Sequence, residues 1–370
     1  MQPLDGVLVL DFSTLLPGPL ASLILAEAGA QVVKVERPGR GDEMRSYEPL
    51  IGADGVNFHM LNRGKRSIAL DLKAADAVET LRPLIAKADI LIEQFRPGVM
   101  DRLGLGYEAV KAINPGIVYC SITGWGQTGP KAPVAAHDLN YMAESGVLGL
   151  SAGADGAPVL PPVLAADIAG GTYPAIMNIL MALRVKEKTG EGAHLDIAMA
   201  DNLFSFVYWG LGNGFATGAW PAGGRELVTG GSPRYQIYRT KDGRHLAAAP
   251  LEDKFWENFS TIIGLSEPLR DPAAPAHEVI AEVAARIADR TSDEWRAAFA
   301  GKDVCCSIVA TLEEAVADPH FTTRGVFAHR LSLDGQSLPA LPVPLAPTFR
   351  STTEIAAPAL GEASDPAQLL

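Results

Sequence analysis

Residues 6–36, GVLVLDFSTLLPGPLASLILAEAGAQVVKVE, decide the fold. GVLVLD (6–11) is a short apolar run of strand length. Pro17 and Pro19 stand where a helix begins, because proline is tolerated in a first turn. The helix ASLILAEAGA stops near Gly29, and QVVKVE (31–36) is a second strand. Strand, helix and strand in about 30 residues form a βαβ unit, so a parallel sheet of an α/β protein is expected.

Beyond this unit, a helix over 74–88 leads to the strand ADILIE, and GIVYCSITG (116–124) is a further strand. A chain of 370 residues exceeds what one core usually serves, so two domains are expected. PAGGRELVTGGSP (221–233) reads as a flexible connection between them. After it, YQIYRTKDGRHLAAAP is a hairpin turning at Asp-Gly, an amphipathic helix begins near Glu252, and Thr291-Ser292-Asp293-Glu294 opens another helix. DVCCSIVATLEEAVADPHFTTRGVF is a strand–helix unit, and from about 328 the chain is Pro-rich and irregular. The expected layout is a large domain with a Rossmann-like parallel sheet over 1–220 and a small α+β domain over 221–327. The segment 328–370 is expected to pack back on the large domain.

Composition excludes several classes of function. A net charge of −12 argues against broad nucleic-acid binding, while leaving room for a local basic pocket. The three cysteines, Cys120 and the adjacent Cys305 and Cys306, form no CxxC or Cys/His array, so neither zinc nor a disulfide framework is expected. The N-terminus reads as a strand rather than a signal peptide, and no apolar run approaches the ~20 residues that span a membrane. A cytoplasmic enzyme with no membrane partner is expected. Glu36 ends the second strand where a ribose-binding acid would sit, but GxGxxG is missing and prolines obstruct the turn, so no NAD or FAD is expected.

Basic residues crowd the segments around the strand ends: Lys34, Arg37, Arg40, Arg45, Arg63, Lys65, Arg66, Arg96 and Arg102. On an acidic chain they suggest a phosphorylated ligand, or else simply charged surface loops. Two groups in 124–171 can exchange protons near neutrality. One is His137, followed by Asp138; the other is Asp167, at the mouth of the apolar helix IAGGTYPAIMNILMAL. Locally, Asp138 and Asp167 are equally readable as helix caps, and His137 as a structural residue. Gly170 and Gly171 weaken the first turn, which makes sense if another backbone or a ligand comes close. A helix N-terminus there would also supply N–H donors for a developing oxyanion.

Taken in order, VERPGRGD, KRSIALDLK, ITGWGQTGP, HDLNY, ADIAGG and KDGRHLAAAPLEDKFW resemble the family III CoA-transferases, the carnitine and bile-acid group. Within that superfamily the resemblance is to the α-methylacyl-CoA racemase branch, over nearly the whole chain. It implies His137 and Asp167 as the two catalytic bases, with Asp138 and Glu252 orienting and tuning the imidazole. It implies CoA contacts at Arg37, at Leu70, Asp71, Leu72 and Lys73, and at Gln94, Phe95 and Arg96. Further contacts are implied at Arg102 and, around the His–Asp pair, at Ala136, Leu139, Asn140 and Tyr141. The implied assembly is an interlocked homodimer, its active site lying where one subunit's large domain meets the other's small domain. The implied reaction interconverts R and S 2-methylacyl-CoA thioesters by 1,1-proton transfer through an enolate. CoA enters with the substrate, and neither a metal nor an organic cofactor is needed. The alternative is CoA transfer between carboxylic acids, with Asp167 as nucleophile and His137 structural. Ala136, where racemases usually show Gly, and Pro250-Leu251 before Glu252 depart from the pattern and bear on acyl specificity. Met142, Leu150 and the Trp209 region are expected to form an apolar wall for the acyl group.

Overall fold

Six short strands carry the first half of the chain: β1 (Leu8–Asp11), β2 (Gln31–Glu36), β3 (Arg66–Ala69), β4 (Ile90–Glu93), β5 (Val118–Thr123) and β6 (Ala193–Ala198). In this computed structural model, which describes residues 2–153, 155–350, 353–363 and 369, they form one sheet in the order β3-β2-β1-β4-β5-β6. Every pairing is parallel, with Val9 opposite Val32 and Ile90, and Cys120 opposite Ile92 and Leu195. The strand order reverses between β1 and β4, and open α/β sheets bind ligands outside the carboxyl ends at such a switch point. The expected βαβ unit is present, with α1 (Pro17–Glu27) between β1 and β2. β3 is a strand that the sequence pattern around KRSIA does not announce.

The sheet is covered by two apolar clusters. In one, α2 (Ala77–Lys87) and α3 (Tyr107–Ile113) bring Leu81, Leu84, Ile85 and Val110 onto Leu10, Val33, Leu91 and Tyr119. In the other, Leu20, Leu23 and Ile24 of α1 pack with Leu61 and Val343, and with Ile168 and Ile176. Between β1, β2 and the segments that follow lies a buried charge network. Asp11 accepts from Ser22 Oγ at 2.5 Å and from Lys65 Nζ at 3.2 Å. Lys34 Nζ donates to Ser13 O at 2.7 Å and pairs with Asp42 at 2.9 Å. Burial alone would raise the Asp11 carboxyl, but Lys34, Lys65 and the Ser13 and Ser22 hydroxyls hold it well below the usual range. Burial, with Lys34 nearby, pushes Lys65 down to about 8 despite the pairing with Asp11. Such groups are tolerated because each finds partners; removing one member leaves a bare charge, at a cost of about 3–5 kcal/mol.

The chain divides into two units. The first comprises 1–145, 162–206 and 319–370, and the second 146–161 and 207–318. The breaks therefore fall at 206/207 and 318/319 rather than at 220/221 and 327/328. PAGGRELVTGGSP is not a loose linker: it folds on itself through Gly224 N to Thr229 O (2.9 Å) and Gly231 N to Glu226 O (2.9 Å). Helices named here are α4 (Asp138–Glu144) and α5 (Tyr173–Thr189) in the first unit. In the second they are α6 (Tyr208–Thr217), α7 (Asp253–Ile263), α8 (Ala276–Ala288) and α9 (Ser292–Phe299). The second unit's sheet is antiparallel: β7 (Gln236–Arg239), β8 (His245–Ala248) and β9 (Cys306–Ile308). Its core gathers Tyr238, Leu246, Trp256, Phe259, Val283 and Trp295. Asp242 in the hairpin turn takes Thr240 Oγ1 (2.6 Å) and Ser292 Oγ (2.7 Å), which ties the turn to the start of α9.

The C-terminal stretch is less irregular than expected. β10 (Arg330–Leu333) and β11 (Gln336–Pro339) form a hairpin, and β12 (Ile355–Ala356) joins β10 in parallel. It lies on the first unit, through Arg63 Nη2 to Leu341 O (2.7 Å), Arg45 Nη2 to Pro358 O (3.1 Å) and Ala363 N to Ser67 O (3.1 Å). One expectation about apolar length fails. Residues 166–189 make a continuous helix of 24 residues that holds an 18-residue window of mean hydropathy 1.2, long and apolar enough to cross a membrane by length and composition. One side of it is buried through Ala175, Ile179 and Ala182, and Lys186 pairs with Asp89 at 2.7 Å.

Candidate active site

At the switch point a cavity of about 390 Å³ opens beside the carboxyl ends of β1 and β4. Its wall is Leu15 and Pro17 after β1, Gln94–Pro97 after β4, Ile122–Trp125 at the end of β5, Ala132 and Val134–His137 of the next loop, then Asn140, Tyr141, Asp167 and Met199. His137 and Asp167 thus share one cavity, with Arg96 on its wall. Gln94, Phe95, Ala136, Asn140 and Tyr141, also singled out from sequence, line it as well.

His137 is the exposed N-cap of α4 and has its N–H held by Asn140 Oδ1 at 3.0 Å. Asp138 does not cap that helix. It is only 5% exposed, and its Oδ1 accepts the backbone N–H of Asp167 at 3.0 Å. Nor is Asp167 a cap. It lies inside a π-helical turn, Ala166–Thr172, that runs straight into α5. Its own N–H is taken by Asp138 and that of Ile168 by Leu164 O (3.0 Å), so these two donors are not free for an oxyanion. Single π turns of this kind recur at functional sites. The paired glycines explain the packing: a Cβ on Gly170 would stand 2.4 Å from Met199 O, and one on Gly171 would stand 2.9 Å from Met199 Cγ. Asn202 Nδ2 then donates to Gly170 O at 2.8 Å. Burial, followed by the charge of Asp138, pushes the Asp167 carboxyl up to about 6. Burial, followed by Asp167 and Asp138, pushes Tyr141 up to about 12, while its hydroxyl donates to Ala136 O at 2.8 Å.

The basic residues separate into two sets. Lys34 and Lys65 belong to the buried network; Arg45 pairs with Glu36 and Asp54 (2.8 Å each), and Arg63 with Glu27 (2.7 Å). Arg66 pairs with Glu362 at 2.7 Å. All five are thus engaged within the chain, although Arg45 also lines the cavity of Arg37 and Arg40. Glu36, in the ribose position, is likewise engaged by Arg45, Ser67 and the Asp42 N–H. Arg37 and Arg40 remain, lining a separate cavity of about 350 Å³ past β2. Leu70 and Leu72 pack against the core; Asp71 and Lys73 are exposed, with Asp71 accepting the Lys73 N–H at 3.0 Å. Arg102 and Leu139 are exposed and line no part of the central cavity. Glu252 is the exposed N-cap residue of α7, in the second unit. Met142 is buried, and Leu150 and Trp209 belong to the second unit, so the apolar wall of the cavity is instead Leu15, Phe95, Ile122, Trp125, Val134 and Met199.

Sequence reasoning missed the STLLP turn. Leu15 sits at φ +63°, unusual for a residue with a Cβ, and its N–H is held by Asp42 Oδ1 at 3.0 Å. Gly18 N donates to Gln94 Oε1 at 3.0 Å, and Pro17 and Pro19 have no N–H, so positions 17–19 offer no amide to a phosphate. Its place directly after the first strand of a βαβ unit was the available signal. Behind Arg96 a smaller cavity of about 210 Å³ holds Glu93, Ser121, Gln127 and His194, where burial pushes Glu93 up to about 7.

Residues 4–364 match the sequence profile of CoA-transferase family III. The chain is 36% identical to α-methylacyl-CoA racemase of Homo sapiens over 358 residues, covering 94% of this chain and 89% of that protein. It is 37% identical to acetyl-CoA:oxalate CoA-transferase of Acetobacter aceti over 273 residues, 73% of this chain and 69% of that one. Its fold superimposes on a CaiB/BaiF family protein of Brucella suis with a TM-score of 0.83, at 31% identity and with all of both chains covered.

Proposed function

The chain belongs to CoA-transferase family III, and from that premise we propose that it interconverts R and S 2-methylacyl-CoA thioesters. The observation that carries this reading is the single cavity lined by both His137 and Asp167, at the switch point of the sheet. Inverting a carbon centre takes two groups acting from opposite faces. Neutral His137 takes the α-proton of the S isomer, Asp167 serves the R side, and the electron pair rests on the thioester oxygen as an enolate. A carboxyl that titrates at about 6 is suited to both giving and taking a proton near neutrality. The CoA moiety supplies remote binding energy that positions the α-carbon, drawing on Arg37, Lys73, Arg96 and Arg102 as candidate phosphate contacts. This chemistry calls for no metal or organic cofactor.

We read the working form as a homodimer. In the isolated chain, Tyr173, Met177, Leu180, Met181 and Val185 of α5 and Tyr208 and Phe215 of α6 are exposed. Apolar stripes of this size are usually covered by a partner. A second copy would also bring a Glu252 to the site.

The second reading is CoA transfer, favoured by the transferase among the relatives. The Asp167 carboxylate would attack the thioester carbonyl and expel CoA thiolate, forming a mixed anhydride. The thiolate would then attack the aspartyl carbonyl, releasing the first acid and leaving an aspartyl-CoA thioester. An incoming carboxylate would expel the thiolate to form a new anhydride, whose acyl carbonyl the thiolate attacks, giving the new acyl-CoA and free Asp167. One experiment separates the readings: incubation of a single enantiomer of a 2-methylacyl-CoA in D2O without free acid. Deuterium gain with loss of chirality, abolished in H137A, is the expected result. No deuterium gain, together with D167A-sensitive movement of CoA onto added carboxylates, would replace it with the transferase.

A further inference from the structure

His137 and Asp167 lie on different elements, and one direct bond joins those elements beside the cavity: Asp138 Oδ1 to the Asp167 N–H, 3.0 Å. Asp138 is the first residue of α4, where a carboxylate would ordinarily turn back onto its own helix's free amides. Here Asn140 fastens the start of the helix from within, and Asp138, buried, faces the π turn. The resemblance assigned this acid to the imidazole, but its hydrogen bond goes to the other base. We infer that Asp138 is a positioning residue for Asp167 rather than for His137: its buried carboxylate pins the Asp167 main chain and sets a negative charge beside that side chain. The inference rests on the reading of Asp167 as the group that exchanges protons or attacks, and it holds for either reaction.

The surroundings of Asp167 leave this role to Asp138. From α4 come Asp138 and Tyr141, with His137 at the cap; from the wall after β4 comes Arg96. From α1 the approaching residue is Pro17, which is not titratable. The turn after β6 carries Asp201, which is exposed; Asp196 of β6 is exposed and spent on the Gln127 N–H; Thr123 of β5 donates no charge; Tyr173 of α5 is exposed. Burial is the first cause of the raised Asp167 carboxyl and Asp138 the second. Like charges in a site raise the acid that must ionise second.

The test compares D138N with D138A. The asparagine keeps an Oδ1 acceptor for the Asp167 N–H and nearly the same volume, but removes the charge. In D138N the Asp167 carboxyl, followed by carbon-13 NMR in the intact protein, is expected to titrate about one pH unit lower. The limb of the pH–rate profile that reports Asp167 should move down with it, with kcat altered more than KM, while the His137 titration stays in place. In D138A the pinning is lost as well, and kcat falls at least ~10-fold further than in D138N. D138E, which keeps the charge but not the reach, should restore the titration and not the rate. If D138N does not fold, D138S gives the same uncharged comparison. An unmoved Asp167 titration in the uncharged variant, or a shift in His137 instead, overturns the inference. The NMR arm needs no substrate: a shifted Asp167 in a protein without α-proton exchange would remove the racemase reading and leave the role of Asp138 standing.

Discussion

Asp167 carries a cost in stability at neutral pH. A carboxyl that titrates near 4 in the unfolded chain and at about 6 in the fold binds its proton more tightly when folded. Its contribution is favourable at low pH and is lost as pH rises from about 4 through 6, at a cost of ~2 kcal/mol once partial exposure is allowed for. D167N should therefore be more stable than the parent in urea at pH 7.5 by about that amount, equal to it near pH 4, and inactive at both. The cations supply a second contrast. R37A and R96A are expected to weaken CoA binding in calorimetry and leave the melting temperature in place. R45A and R63A should lower stability by about 3–5 kcal/mol, because each strands a buried glutamate. That His137, Asp167 and Arg96 line one cavity accords with the reading of the first two from residue type and of Arg96 from its position past a strand end. The internal pairing of Arg45, Arg63 and Lys65 was not, because their acids, Glu36, Glu27 and Asp11, lie 9, 36 and 54 residues away along the chain.

Among the elements, the π turn is the most exacting. G170A would drive a methyl to within 2.4 Å of a backbone oxygen that cannot yield, and is expected to cost ~2–3 kcal/mol and most of the activity. G171A meets the flexible Met199 side chain and should be milder; thermal melts of the two variants measure the difference. In the second unit, Thr291 and Glu294 form a reciprocal cap for α9, and T291A is expected to cost ~1 kcal/mol without touching CoA affinity. The Thr291 cap and the Asp-Gly hairpin were legible because they depend on neighbours a few residues apart, whereas the cap readings of Asp138 and Asp167 failed because those residues answer to each other across the fold. The π turn was not, since its wide hydrogen-bonding pattern answers to Met199 and Asn202, which arrive from another element. The edge strand β3 and the two-residue β12 escaped for a similar reason: their pairing partners, not their own patterns, make them strands.

For the whole molecule, the apolar faces of α5 and α6 lead to a solution prediction. The protein should sediment as a dimer at micromolar concentration, and the double variant M177E/M181E as a monomer with little activity. Mixed refolding of the inactive variants H137A and E252A should recover about a quarter of the parental rate if each site draws on both copies, and nothing if it does not. The general α/β architecture was legible from one βαβ unit, but the discontinuous make-up of both units was not, because chain order does not report which segments return. The buried quartet Asp11, Lys34, Asp42 and Lys65 has a final consequence. Its members come from β1, from β2, from the loop after β2 and from the approach to β3, with Lys34 paired to Asp42 and Lys65 to Asp11. A nascent chain that has docked β1 on β2 sets Asp11 against Lys34, but it still lacks the Lys65 and Asp42 that complete the network. Partial assemblies of this region are therefore expected to be short-lived, so its first seventy or so residues should gain and lose amide protection together in pulsed hydrogen exchange.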